Sequence, residues 1–314
     1  RTGLPRHDLS WYLFPSDSED ELIKRIGFQE PFTGLRQQWY YNNWMFFLQG
    51  QIGKRITGNT WEENVKTMFF DKLGMSRSNF KALELPKDSD FSFGYQTDLE
   101  GLSTKMDYYN IAAMSPAGAI NSSVTEMSNW LITWINGGKY KGEQIIPASY
   151  ATEAMSAQMV VSAGTPSKEH PDAHFANYGF GWFLSSYRGH YRVEHGGNID
   201  GFSASAAFFP SDSLGIVVLA NQNGSQVPGI VRNMIADRML KLDPADWSAE
   251  GLKRVAESKA MQEKAKKEAD STKISATKPS HVLADYTGTY ENQGYGKLEM
   301  DLLNDTLRAK TGLY

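Results

Sequence analysis

Apolar residues recur at helical spacing in the first part of the chain and give way to short β-type runs from Tyr178 onwards. The clearest helical run begins after a capping pattern at Ser123 and Glu126 and ends at the glycine pair Gly137-Gly138; its apolar positions are Met127, Trp130, Leu131, Trp134 and Ile135. Because these positions follow one another at i, i+3, i+4, i+7 and i+8, they share one face of a helix. The pattern predicts a core helix.

Further helices are predicted on the N-terminal side of this one. A short helix is expected over Asp17–Ile26. A helix after Tyr41 is expected to pack against a core through Trp44, Phe47, Leu48 and Ile52. Another begins at a capping box of Thr60 and Glu63 and ends at Gly74, with a face made of Trp61, Val65, Met68 and Phe69.

The second part of the chain contains short β-rich runs separated by Gly, Ser, Asp and Pro turns. The runs are YGFGWFLSS, HYRVEHGG, FSASAAFFP and LGIVVLANQ. Consecutive strands joined by such turns favour antiparallel pairing. A helix opening at Pro228 is expected to cover one face of the sheet through Ile230, Met234 and Ile235. Together the patterns predict an α+β fold, in which helices flank an antiparallel sheet.

Composition changes divide the chain into three predicted parts. Residues 1–240 form the main domain, and residues 241–280, rich in Ala, Glu, Lys and Ser, form a charged helix and linker. Residues 281–314 alternate apolar and polar positions around Gly and Asn-Asp turns, as in the opening strands of a small β-meander. Strands that stop at Tyr314 would leave an unpaired edge, so we expect truncation or a partner there.

Charge and cysteine content narrow the classes of function. A net charge of −4 provides no polybasic surface for nucleic acid, and no apolar run approaches the length of a membrane span. The absence of cysteine excludes disulfides and thiolate metal sites. A small-molecule or peptide substrate fits this composition better, and no metal or cofactor is expected.

Two strings carry candidate chemistry. In Tyr41-Asn42-Asn43, directly before a helix, the phenol and the Asn43 amide suit proton transfer and substrate hydrogen bonding. In His195-Gly196-Gly197 the two glycines let a substrate lie against an edge strand, and the backbone N–H of Asn198 can face an oxyanion. Taken singly, the strings also fit an aromatic loop with an Asn cap and a tight turn beside a surface histidine.

The order of six motifs along residues 1 to 240 favours the functional interpretation of these two strings over the structural one. They are Arg1-Thr2-Gly3-Leu4-Pro5, Tyr41-Asn42-Asn43-Trp44, Leu73-Gly74-Met75, Pro116-Ala117-Gly118, Tyr178-Gly179-Phe180-Gly181-Trp182 and His195-Gly196-Gly197. This order resembles the class C β-lactamase-like serine hydrolases, which include penicillin-binding-protein-like D-alanyl-D-alanine carboxypeptidases, D-amino-acid peptidases and esterases. The resemblance implies a β-lactamase/transpeptidase-like fold with a helical subdomain. It also favours a periplasmic or extracellular location, although the composition leaves the compartment open.

The resemblance assigns roles to the candidate residues. Tyr41 would assist proton transfer to and from the nucleophile, and Asn43 would orient the substrate. His195 stands where the family has the Lys of its Lys-Thr-Gly motif. Since a histidine has an ordinary pKa of about 6.5, recognition of a carboxylate is expected to be weaker and pH-dependent. We also expect Tyr41 and His195 to line one cleft.

The family's nucleophile, the serine of a Ser-x-x-Lys motif, is expected upstream of Arg1. The two Ser-x-x-Lys strings in the chain, at residues 78–81 and 275–278, lie on the wrong side of Tyr41 and are rejected. We therefore expect an N-terminal segment that is missing, or supplied in cis or in trans, and an inactive fragment without it. The alternative is a non-catalytic binding module on the same fold. Oligomeric state and the actual substrate are left open by the sequence.

Overall fold

The computed structural model describes residues 2–98, 100–162, 164–274 and 277–311. Its α-helices are α1 (Leu9–Tyr12), α2 (Glu19–Ile26), α3 (Asn43–Thr57), α4 (Trp61–Val65), α5 (Asp71–Leu73), α6 (Val124–Ile135), α7 (Ala148–Ala154), α8 (Val227–Met239) and α9 (Trp247–Thr272). A π-helix, Lys66–Phe70, joins α4 to α5. Short 3₁₀ helices cover Ala82–Lys87, Ala112–Ala117, Pro210–Asp212 and Leu283–Tyr286.

The strands fall into one large sheet and several small ones. They are β1 (Gly94–Thr97), β2 (Ser103–Met106), β3 (Lys139–Tyr140), β4 (Glu143–Gln144), β5 (Met159–Ser162), β6 (Ala176–Tyr178), β7 (Phe183–Tyr187), β8 (His190–Ile199), β9 (Phe202–Phe209), β10 (Leu214–Ala220), β11 (Gly288–Asn292), β12 (Gly296–Leu303) and β13 (Thr306–Lys310). The mixture of helices with antiparallel strands agrees with the predicted α+β class.

The chain divides into two compact units, which are described separately. The first contains Gln51–Asn110 and Gly118–Leu252, and the second contains Thr2–Gly50, Ile111–Ala117 and Lys253–Tyr314. The three-part domain division expected from composition stays a prediction.

A six-stranded antiparallel sheet forms the centre of the first unit, in the order β10-β9-β8-β7-β6-β5. All four β-rich runs of the sequence lie in it as expected. The run that begins at Tyr178 is not one strand, however, because Tyr178 ends β6 and Phe183 begins β7. Between them Gly181 adopts a φ of +77°, and Gly179 approaches Ala154 so closely that a Cβ would lie 2.1 Å from its carbonyl oxygen. These two glycines make a turn where a continuous strand was predicted.

Helices pack on both faces of this sheet. On β9, Phe208 joins the cluster of α6 residues Leu131 and Trp134, whereas its neighbour Phe209 joins a cluster with Ala236 of α8. Because successive strand residues point to opposite faces, α6 and α8 cover opposite sides. The predicted helix after Pro228 is confirmed, but two of its expected sheet-facing residues, Met234 and Ile235, are exposed.

The α4 region of the first unit confirms its predicted start and corrects its predicted face. Thr60 and Glu63 form the reciprocal capping box, and Gly74 ends α5 in the left-handed conformation. Met68, expected on the apolar face of this helix, is 51% exposed, while Phe70 is buried. The π-helix adds a residue to the turn and so rotates the apolar face away from the 3.6-residue pattern.

The second unit is built around the first two turns of α3. Trp44 and Phe47 are fully buried there, as predicted. The helix continues to Thr57, and near that end Ile52 is 50% exposed, so its predicted core position is wrong. The buried face of α3, which begins with Trp44 and Phe47, continues to Gln51, which is also buried. Ile52 lies about 100° further round the helix and so falls outside that face.

The remainder of the second unit follows the sequence prediction closely. Helix α9 is solvated, with every described residue from 252 to 274 exposed. Strands β11, β12 and β13 then form an antiparallel meander. Across the described residues, no helix combines the length and apolar character needed to cross a bilayer.

Candidate active site

Tyr41 lies in the second unit, two residues before α3, in an aromatic and cationic setting. Its ring centroid is 5.7 Å from that of Phe46 and 6.5 Å from that of Trp39. The Arg6 guanidinium lies 5.1 Å from the same centroid. Burial raises the pKa of the Tyr41 phenol, Arg6 partly opposes this, and Asp8 adds to it. At neutral pH the phenol is therefore protonated.

The two asparagines after Tyr41 have different tasks. Asn42 is buried; its Nδ2 donates to the carbonyl of Pro5 at 2.7 Å, and its Oδ1 accepts from the backbone N–H of Met45 at 3.2 Å. It caps α3 and ties it to the segment at the start of the chain. Asn43 instead donates from Nδ2 to Asp8 Oδ1 at 3.1 Å. The Asn-cap alternative thus holds for Asn42, which leaves Asn43 as the candidate for chemistry.

Asp8 connects several groups at this site and was missed by the sequence reasoning. Its carboxylate accepts from Arg6 Nε at 2.6 Å and Trp11 Nε1 at 3.1 Å, besides Asn43. Asp8 and Asn43 are 35 residues apart, so no local periodicity relates them. Its one signal in the sequence is its position shortly after the Gly-Leu-Pro segment.

His195 lies in β8 of the first unit, and both of its ring nitrogens have partners. Nδ1 is 2.6 Å from the carbonyl oxygen of Gly196, and Nε2 is 3.0 Å from the hydroxyl of Tyr178. A carbonyl only accepts, so Nδ1 carries the proton and the neutral ring accepts from Tyr178 at Nε2. Burial lowers the pKa of His195, although the Gly196 carbonyl and the Glu194 carboxylate oppose this. The imidazole is therefore neutral near pH 7.

Tyr178 and Phe183 both contact the imidazole ring of His195. The ring centroid of Phe183 is 5.3 Å from that of His195. Tyr178 belongs to one of the six sequence motifs, but the motif indicates no partner for it. The turn between β6 and β7 places both rings beside His195, and that placement depends on strand pairing that local sequence does not encode.

The strand beyond His195 has an open side. Pairing of β8 with β7 ends at Glu194↔Phe183, whereas its pairing with β9 continues to Ile199↔Phe202. Between these points Gly196 and Gly197 are exposed, and their missing side chains leave the backbone accessible. Binding of an extended substrate along this edge, which the His-Gly-Gly string predicts, stays a prediction.

Asn198 lies at the end of this edge, and its side chain has a structural role. Its Oδ1 accepts from the Ser203 hydroxyl at 2.9 Å and the Gly224 N–H at 2.6 Å, and its Nδ2 donates to Asn223 at 3.0 Å. The side chain thus clamps the β8–β9 turn to the chain after β10. Its backbone N–H stays a predicted oxyanion donor.

Ser78 has the contacts of a structural serine. Its hydroxyl lies 2.6 Å from Glu126 Oε2 and 2.7 Å from Ser122 Oγ. Residues 78–81 are not helical, and Lys81 pairs with Glu84. Glu126 also accepts from the backbone N–H of Arg77, so it does not complete the predicted capping box with Ser123. Ser275, in the other string, lies outside the described residues.

The candidate residues therefore form two groups, one in each unit. Tyr41 and Asn43 belong to the second, and His195 and its edge strand to the first. A common cleft for them stays a prediction. In the described part of the chain, no cluster of three or more His, Cys, Asp or Glu side chains is arranged to hold a metal ion.

Comparison with known proteins decides the family. Residues 1–239 match the Beta-lactamase family. The chain belongs to the β-lactamase family. This β-lactamase-family chain is also 27% identical, over 322 aligned residues, to the unguisins hydrolase ungD of Aspergillus violaceofuscus. That alignment covers 96% of this chain and 57% of the relative.

Solved structures show the fold of this β-lactamase-family chain. The octameric penicillin-binding protein homologue from Pyrococcus abyssi superposes with a TM-score of 0.67 at 19% identity, over 98% of this chain and 63% of that one. The D-amino acid amidase from Ochrobactrum anthropi SV3, complexed with L-phenylalanine amide, gives 0.56 at 18% identity, over 77% and 68%. The expected β-lactamase/transpeptidase-like fold is thus confirmed. The chain spans 57% of ungD and 63% of the Pyrococcus protein, less than two thirds of each.

Proposed function

We propose that this chain is the larger part of a serine hydrolase that works through an acyl-enzyme on an ester, an amide or a D-amino-acid peptide. The observation that carries the proposal is the open edge of β8 directly after His195, where an extended acyl group can pair with backbone. The family, which includes relatives named as a hydrolase and an amidase, supports the same class of reaction.

The acyl-enzyme chemistry requires a nucleophile that we assign to a Ser-x-x-Lys segment outside this chain. Its serine attacks the substrate carbonyl, and the bond from the carbonyl carbon to the leaving alcohol or amine breaks as the acyl–serine ester forms. Water then hydrolyses this ester, which releases the acid and regenerates the serine. Tyr41, together with the Lys of that segment, transfers the protons. Its raised pKa keeps the phenol protonated, so that it holds a proton for the leaving group, and a nearby ammonium would lower that pKa and allow the phenolate to accept a proton first. Asn43 holds the substrate amide in line.

His195 gives this enzyme a different recognition group from the family's lysine. Because burial lowers its pKa, the ring is neutral near pH 7 and attracts a substrate carboxylate less than an ammonium does. We therefore propose that neutral esters and amides are better substrates than penicillins. The open edge of β8 donates and accepts backbone hydrogen bonds with the substrate, and the His195 imidazole orients the substrate.

The test is hydrolysis of a chromogenic ester by the product of the gene's full open reading frame. Tyr41→Phe is expected to lower kcat by about 10²–10⁴-fold, the usual contribution of general acid–base catalysis. Tyr40→Phe is the matched control, since it removes the neighbouring phenol, and is expected to retain activity. His195→Ala is expected to raise KM more than it lowers kcat.

The outcomes separate catalysis from binding. Equal losses in Tyr41→Phe and Tyr40→Phe would contradict the proton-transfer role of Tyr41. A folded full-length product without any turnover, but with measurable ligand affinity, would favour the non-catalytic binding module.

A further inference from the structure

The turn between β11 and β12 is docked closely onto the N-terminal part of the second unit. A Cβ added to Gly296 would lie 2.9 Å from Arg25 Nη2, and one added to Gly294 would lie 3.2 Å from the carbonyl oxygen of Phe28. Gly296 also has a φ of +111°, which side chains rarely adopt. The Asn292 side chain stiffens the turn by accepting from the N–H of Gly294 at 2.9 Å. The φ of Gly296 therefore favours glycine there, and a side chain at Gly294 would crowd the Phe28 carbonyl.

Tyr295, at the tip of this turn, holds the ring of His7. Its hydroxyl is 3.0 Å from His7 Nδ1, and the two rings meet edge to face with centroids 5.9 Å apart. His7 Nε2 lies 3.3 Å from the carbonyl oxygen of Glu30, which only accepts. In the neutral ring, Nε2 therefore donates to Glu30, and Nδ1 accepts from Tyr295. Both ring nitrogens of His7 are therefore held by hydrogen bonds.

His7 has a backbone conformation that needs such support. Its φ is +47°, in the left-handed region that residues other than glycine adopt uncommonly. Its carbonyl oxygen accepts from the Ser10 hydroxyl at 2.6 Å, which helps to start α1. The next residue is Asp8, whose carboxylate accepts from Asn43. The direction in which Asp8 leaves the backbone therefore depends on the position of His7.

We propose that Tyr295 is a positioning residue, which acts through His7 and Asp8 to hold Asn43 in the orientation used for substrate. The meander β11–β13 thereby contributes to the Tyr41-Asn42-Asn43 motif without touching substrate. The role given to Asn43 rests on the proposed function, whereas the structural link from Tyr295 to Asn43 does not.

The link is tested on this chain by NMR of the Asn43 side-chain amide, whose signals are assigned by their loss in Asn43→Ala. Tyr295→Phe is expected to move these signals by more than their line width. The matched control is Tyr290→Phe, which removes a meander hydroxyl that bonds to the carbonyl of Tyr286 instead. In an Asp8→Asn background, Tyr295→Phe is expected to move the Asn43 signals little further, because the hydrogen bond between Asn43 and residue 8 is already weakened.

Unmoved Asn43 signals in a folded Tyr295→Phe variant would overturn the proposal, as would equal shifts in Tyr290→Phe. If Tyr295→Phe does not fold, His7→Asn provides the second variant. Asparagine tolerates a positive φ but lacks the imidazole ring, so the same shift is expected. Unmoved Asn43 signals in His7→Asn would equally overturn the proposal.

A kinetic measurement on the full open reading frame product distinguishes positioning from general support. Loss of one hydrogen bond worth about 1 kcal/mol corresponds to a fall of roughly fivefold in kcat/KM. A positioning role raises KM, whereas a merely structural role reduces the active fraction and lowers kcat alone. If Asn43→Ala leaves hydrolysis unchanged, the catalytic role of Asn43 fails, and the NMR result still decides the link.

Discussion

Replacement of Asn42 by alanine is expected to destabilise the chain by about 2 kcal/mol. The side chain is 5% exposed and makes two well-placed hydrogen bonds, as the acceptor for the Met45 N–H and as a donor to the Pro5 carbonyl. Loss of an N-cap costs about 1 kcal/mol. Loss of a hydrogen bond to a partly buried carbonyl costs about 1 kcal/mol more.

The measurement is urea unfolding followed by tryptophan fluorescence, with Asn42→Ser as the matched variant. Serine restores the cap acceptor but does not reach Pro5, so it is expected to recover about half of the loss. Equal costs for the alanine and serine variants would show that capping contributes nothing here. A cost for alanine below about 0.5 kcal/mol, the range of ordinary surface changes, would refute the reasoning.

Three further predictions concern the first unit. In an NMR titration His195 is expected to titrate below its ordinary pKa of about 6.5, and a midpoint above 6.5 would contradict this. Because the unfolded chain then takes up the proton at a higher pH than the folded chain does, the free energy of unfolding falls as pH drops below about 6.5. Asp237→Ala, which removes a buried carboxylate from the Arg188 guanidinium as well as from Tyr187 and Trp247, is expected to cost about 3–5 kcal/mol in urea unfolding. Gly201→Ala is expected to cost more than about 1 kcal/mol in thermal unfolding, because φ is +85° and its Cβ would lie 2.5 Å from Gly94 Cα.

Local sequence patterns were sufficient to predict a helix end or a strand wherever that feature depends on neighbouring residues. Thr60 and Ser123 cap α4 and α6 as their residue types indicate. The antiparallel order of the strands followed from the short turns that connect them. The motif order identified the family, although it gave no contact partner for any residue.

Contacts between distant segments were beyond the reach of those patterns. Tyr178 reaches His195 only because β6, β7 and β8 pair in register. Asp8 meets Asn43, and Tyr295 meets His7, across 35 and 288 residues respectively. The π-helix Lys66–Phe70 shifts the phase of the helix, so a period of 3.6 residues assigned Met68 to the wrong side.

The central claim is that catalysis uses a serine outside this chain, with Tyr41 and His195 inside it. Intact-protein mass spectrometry after incubation with an activated ester tests this most directly, on the chain alone and on the full open reading frame product. The account predicts a stoichiometric acyl adduct only on the longer protein, at the serine of a Ser-x-x-Lys motif. An adduct mapped to Ser78 or Ser275 of the chain alone, or no adduct on either protein, would contradict it.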